Sequence, residues 1–231
     1  MVTFVIAKYN ENIEWTKKIN HKIIIYDKSN FPDEGSINLK NVGKEAETFL
    51  YHIINNYNNL DDVTVFLQGN PVEHLQFLAG WRSELTNSEK DIVIEKMNSE
   101  IDNKSDFSSF YQVLYNNPPY INGVNVKNDC IKYFNEVHNY FTVSPGAQYI
   151  VPKKYIVSRS IEFWKQLYEA TYNEGLSPYS MENLWYLSFK HNMNNTVGNH
   201  DIEKTDVLIL LPRLTLRLIV ISQNIILYFN L

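Results

Sequence analysis

The 231-residue chain has a single cysteine, Cys130. That excludes an internal disulfide and any metal cluster built from several thiolates. It fits a reducing compartment, and a cytoplasmic or virion location is expected. There is no excess of positive charge: 21 Lys and Arg stand against 26 Asp and Glu, a formal net charge of −5. A nucleic-acid partner is therefore not expected, since phosphate binding calls for a basic face. The short basic clusters, Arg82 beside Trp81 and Lys153-Lys154 near Arg159, are too small to supply one. The six histidines form no HExxH pair, and no serine sits in a GxSxG turn, so the zinc-hydrolase and serine-hydrolase patterns are absent.

Long apolar runs are missing as well. The N-terminal MVTFVIAKYNEN has no basic segment ahead of its short apolar stretch and reads as a buried strand, not as a secretion signal. The apolar tail Val207–Leu231 is interrupted by Pro212, Arg213 and Arg217. What is left, Leu218–Leu231, falls short of the roughly 20 residues of a spanning helix. A packed strand or helix is expected there, and membrane attachment through this tail is the weaker alternative. A hydrophobic share of 44% with 20% charged residues is globular composition, and one soluble domain is expected.

What is present is an alternation of periods. Val2–Ala7 is rich in β-formers, and Glu11–Ile19 carries Ile13, Trp15 and Ile19 at approximately helical spacing. His21–Tyr26 (HKIIIY) is nearly continuous in apolar residues, as strands covered on both faces are. A polar loop runs from Asp27 to Val42. From Lys44, Ala46, Phe49, Leu50, Ile53, Ile54 and Tyr57 recur on one helical stripe, with Glu45 and Glu47 suited to the positive end of the helix dipole. Val63–Leu67 is a third buried strand. This order predicts an α/β fold: a single open, mostly parallel sheet flanked by helices. Further on, a helix is expected over Ser88–Ile101, aromatic loops around Asn116–Tyr120, and a strand around Gly146–Val151. A helix is expected over Ser160–Tyr172 with Ser160 as its cap, and another opening near Ser180 with Glu182 in its first turn.

Ligands of such sheets bind beyond the carboxyl ends of the strands, which directs attention to the strand exits. At the first exit stand Tyr9, Asn10 and Glu11, and at the second Asp27 and Lys28; these can hydrogen-bond a base and ribose. Gly43 and Lys44 open a helix whose backbone N–H groups can face an anion. Gln68, Gly69 and Asn70 close the third strand, and Glu73 and His74 behind them are candidate metal ligands, for Mn²⁺ or Mg²⁺ bridging to a diphosphate. Gly146 and Ala147 permit close approach of a ligand beside Glu182, a candidate general base.

The segments VIAKYNENIEW, IIIYDKS, NVGKEAETFLYHIINNY, VTVFLQGNPVEH, GAQYIVPKKYIVSRSIEFWKQL and MENLWYLSF together resemble domain-of-unknown-function family 3431. They run in that family's order over most of Val2–Phe189. The family's pattern is in turn similar to A-type (GT-A) glycosyltransferases. The resemblance implies a GT-A-like domain over 1–190, with 191–231 as an apolar extension outside it. It also implies a nucleotide-sugar donor, an acceptor the residues do not identify, QGNPVEH at the place of the acidic metal-binding motif, and Glu182 as the catalytic carboxylate. Asn70 stands where the family tends to have aspartate. Lys44 stands where arginine is common, keeping charge but losing bidentate phosphate geometry. These departures also suit a GT-A-like domain that binds glycan or protein without turnover.

Overall fold

The computed structural model describes residues 1–72, 91, 94–95, 98, 101, 106–110, 113–116, 124–190 and 225–226; at 113–116, 140 and 225–226 only the backbone is described. Strand β1 (Val2–Lys8) lies in the middle of a six-stranded sheet. It is flanked in parallel by β2 (Lys22–Asp27) and β4 (Val63–Gln68), and β3 (Ile37–Asn38) extends the β2 side, also in parallel. On the other side β8 (Tyr149–Pro152) runs antiparallel to β4, and β5 (Ser108–Ser109) antiparallel to β8. The sheet is mixed: its β3-β2-β1-β4 part is parallel, and the rest is not. A second, antiparallel sheet joins β6 (Val113–Asn116), β7 (Tyr140–Val143) and β9 (Ile225–Ile226), so two residues of the apolar tail are paired as strand.

Alternation along the strands builds the two faces. Val5 and Phe66, with Tyr149 and Val151, point toward the core formed with α1 (Lys44–Asn56), α4 (Ile161–Asn173) and α5 (Pro178–Phe189). Phe4, Ile6, Val65, Leu67 and Ile150 point to the opposite face, where Ile94 and Ile101 are buried and Ile13 and Trp15 pack partly covered. Both faces are apolar, which is why HKIIIY and VTVFL read as unbroken runs and not as alternations. On α1, Ala46, Phe49, Leu50 and Ile53 are at most 1% exposed, each side chain contributing about 1.5–3 kcal/mol of burial, less for the alanine.

Several local expectations are corrected. Glu11–Ile19 is not an α-helix but a 3₁₀ turn over Glu14–Lys18 with no side-chain cap; Ile13, Trp15 and Ile19 nonetheless pack against one apolar cluster. Gly146 and Ala147 are not strand residues. They have φ values of +77° and +53° and form the turn ahead of β8. Helix α5 opens at Pro178, not Ser180, because Ser177 caps it by accepting from the Tyr179 N–H and proline suits its first position. Glu182 therefore sits in the second turn, away from the end of the dipole. Helix α2 (Val126–Phe134), with Asn125 accepting from the Asn128 N–H, was not foreseen. The short α3 (Lys153–Val157) follows β8. Ser160 caps α4 as expected, accepting from the Phe163 N–H at 3.2 Å. Within Ser88–Ile101, Asp91, Ile94, Glu95, Asn98 and Ile101 are helical. The other positions of that segment, and the aromatic loop beyond Asn116, lie outside the described residues.

Candidate functional site at the carboxyl edge of the sheet

The register brings three strand exits level: Lys8 pairs with Asp27 and Ala7 with Gln68. From β1 the chain first adds β2 and β3 on one side, then crosses by α1 to β4 on the other. The β1–β4 boundary is thus the topological switch point, where open α/β sheets form a crevice. Here the protein fills that crevice itself. Glu11 accepts the Tyr9 N–H at 2.6 Å, and its carboxylate packs so closely on Gly69 that an added Cβ would lie 2.7 Å from its Oε2. The Trp15 indole donates to the Gly69 carbonyl at 2.9 Å. Tyr9 and Asn10 are exposed beside this contact, and Asn70 is half-buried.

Asp27 and Lys28 are turned to internal partners. Asp27 is fully buried and accepts from Lys8 Nζ at 2.6 Å and from the Ser29 and Asp33 N–H groups. Burial alone would raise its pKa, but the Lys8 and Ser29 hydrogen bonds outweigh it and hold the carboxyl below its ordinary range. Lys28 donates to the Val42 carbonyl at 2.6 Å and to the Lys44 carbonyl, and pairs with Glu47 at 2.6 Å. Burial pulls its ammonium below the usual lysine pKa against the opposing pull of Glu47. Lys28 thus supports the start of α1 from beneath. Sequence reasoning placed Glu47 only at the helix dipole, and it put Lys8 at the first strand exit without a role. The signal was a lysine or glutamate inside an otherwise apolar element.

On the α1 side four segments meet. Gly43 and Lys44 both have left-handed φ, +60° and +48°. The Lys44 ammonium donates to the Tyr179 hydroxyl at 2.9 Å and lies 4.2 Å from the centre of that ring. The Tyr179 contact, with Glu45 and Glu182 nearby, raises its pKa. Glu182 is half-buried, and its Oε1 accepts the Gly146 N–H at 2.7 Å. Glu45 takes hydrogen bonds from its own backbone N–H and from the Gln68 side chain. Burial, reinforced by the charge of Glu182, pushes its carboxyl up to about 7. The predicted residues Gly43, Lys44, Gln68, Gly146, Ala147 and Glu182 are therefore brought to one place. Asp27 and Lys28 lie beneath it, and Tyr9, Asn10 and Glu11 beside it. Tyr179 is the addition the sequence did not single out, and Glu45, read there as a first-turn acid, joins it.

No three His, Cys, Asp or Glu side chains gather as metal ligands among the described residues. Glu73 and His74 lie outside them, so no step is assigned to a metal here. Among the described residues no helix is long and apolar enough to cross a membrane. Neither a curated protein nor a solved structure matches the chain. A family model described as "Protein of unknown function (DUF3431)" matches residues 4–202, most of the chain, and the protein belongs to that family.

Proposed function

We propose that the protein transfers a sugar from a nucleotide-sugar donor to an acceptor hydroxyl at the carboxyl edge of the sheet, with Glu182 as the general base. One observation carries this reading: Glu182, Lys44 and Gln68, far apart in sequence, belong to one polar cluster around the start of α1, with Glu182 held by the Gly146 N–H. The acceptor oxygen attacks the anomeric carbon, the bond from that carbon to the diphosphate oxygen breaks, and the hydroxyl proton passes to Glu182. The diphosphate leaves with the electron pair beside Lys44, whose charge offsets it. The exposed Tyr9 and Asn10 are available to the nucleoside.

A second reading, a domain of the same build that binds glycan or protein without turnover, draws on Asp27 and Lys28. Their charges are already matched inside the protein and are not free for a donor. A thermal-shift panel of UDP-, GDP- and CMP-sugars, each with and without Mn²⁺, separates the two. A donor at ~100 times its dissociation constant stabilises the native state by about 2.7 kcal/mol. The transferase reading expects a shift with one nucleotide class, release of the nucleoside diphosphate once an acceptor is supplied, and binding without release in Glu182→Gln. No shift with any donor removes it and leaves the binding-only reading.

A further inference from the structure

The step proposed above uses Lys44 and leaves Tyr179 without a task. The Lys44 ammonium has three N–H bonds and spends one on the Tyr179 hydroxyl, at 2.9 Å. Because that hydroxyl accepts from Lys44, its own proton remains to donate, and it meets no acceptor among the described residues. Nor does Lys44, which is exposed, form an ion pair among them. Glu45 and Glu182, whose charges lie near it, are turned to partners of their own, the Gln68 side chain and the Gly146 N–H.

Both residues are fixed from behind. Lys44 has φ +48°, a left-handed conformation that strains any residue with a Cβ, and its carbonyl accepts from the buried Lys28. Glycine at that position would relieve the strain but discard the ammonium. The Tyr179 N–H donates to Ser177 Oγ at 3.2 Å, and the Tyr179 carbonyl accepts from the Asn183 side chain at 2.8 Å. With the ring centre 4.2 Å from Lys44 Nζ, ammonium and hydroxyl stand side by side, each with N–H or O–H bonds to offer.

We propose that Tyr179 is a diphosphate-binding residue, its hydroxyl gripping one phosphoryl group of the sugar donor together with the Lys44 ammonium. This rests on the transferase reading. A lysine alone is a point charge that fixes no direction, whereas hydrogen-bond donors on two neighbouring side chains hold a phosphoryl group as a guanidinium fork does. Tyr179 lies one helical turn before Glu182 on α5, so one helix would carry both the group that holds the leaving diphosphate and the base.

Isothermal titration of the full chain with pyrophosphate, UDP and GDP tests this without turnover. Tyr179→Phe keeps the ring against Lys44 and removes only the hydroxyl. It should weaken the best of these ligands about tenfold, the loss of one hydrogen bond to a charged group. Lys44→Arg added to Tyr179→Phe should recover most of that loss, because the guanidinium brings both N–H groups itself. A Tyr179→Phe protein of native circular dichroism that binds within about twofold of the parent overturns the proposal. So does a loss that arginine leaves unrepaired, which would assign the hydroxyl to folding of the edge, and so does the failure of all three ligands to bind. UDP or GDP bound through Tyr179, with no sugar released from any donor, counts against the transferase reading alone. A sugar transferred by Tyr179→Phe at unchanged KM counts against the phosphoryl grip alone.

Discussion

Lys8 and Asp27, at the exits of adjacent parallel strands, form an ion pair of 2.6 Å in which the two side chains are 7% and 0% exposed. Asp33 joins Lys8 from the following loop at 3.2 Å. Two more hydrogen bonds, from the Ser29 and Asp33 N–H groups, satisfy Asp27, so the loop after β2 is organised around this one carboxylate. Removing it leaves Lys8 buried beside only the exposed Asp33. Asp27→Ala should therefore destabilise the fold by about 3–5 kcal/mol, the range for breaking a buried pair from one side. Urea unfolding would show a lower midpoint at an unchanged slope. A cost below ~1 kcal/mol would mean that water reaches the pair. It follows that lost donor binding in Asp27→Ala would report unfolding as readily as a missing contact to the ligand.

The start of α1 gives a second expectation. Gly43 has φ +60°, and a Cβ there would lie 2.6 Å from the Glu47 Cβ and 2.9 Å from the Thr171 Cγ2. Gly43→Ala combines left-handed strain with overlap against a helix neighbour and a residue of α4, on the order of 2–4 kcal/mol together. A melting temperature within a degree of the parent's would show that the α1 start yields more easily than this packing implies. The same glycine brings the α1 backbone close to Thr171, and α1 is the element that presents Lys44 and Glu45.

What was legible in the sequence follows from these contacts. The strands β1, β2 and β4 and helix α1 announce themselves because their apolar residues repeat with the period of the element that buries them. Lys44 and Glu182 were singled out from their expected places, after a glycine at a helix start and in the first turn of a helix. Their partners were not. Glu45 and Glu47 look alike as first-turn acids, and only the fold separates them, sending Glu47 down to Lys28 and Glu45 toward Gln68 and Glu182. The start of α5 was misplaced by two residues because Ser177-Pro178 and Ser180 offer competing caps. The antiparallel β8 was read as part of a mostly parallel sheet because its direction is set by a β4 pairing some 80 positions away, which no local pattern encodes.

The dependence of stability on pH is set by two groups that oppose each other, the buried His52 and the half-buried Glu45. His52 is 3% exposed, its Nδ1 3.0 Å from the Tyr26 hydroxyl, and burial pulls its pKa from 6.5 to about 4. The unfolded chain binds the extra proton first. The stability from keeping His52 neutral is therefore whole above 6.5 and is lost as pH falls toward about 4, roughly 3 kcal/mol in all. Glu45 has the reverse sign. Its folded carboxyl keeps a proton that the unfolded chain gives up, so its contribution is whole below 4.5 and is lost as pH rises to about 7, by up to about 3 kcal/mol. Between 4.5 and 6.5 the two slopes largely cancel. His52→Gln, whose amide can still meet the Tyr26 hydroxyl, should unmask a stability that declines with rising pH across that window. Glu45→Gln should unmask one that climbs, and should be more stable than the parent above pH 7. Urea unfolding at half-unit pH steps distinguishes these curves. Parallel curves for the parent and either variant would show that the replaced side chain does not titrate differently in the folded and unfolded chains.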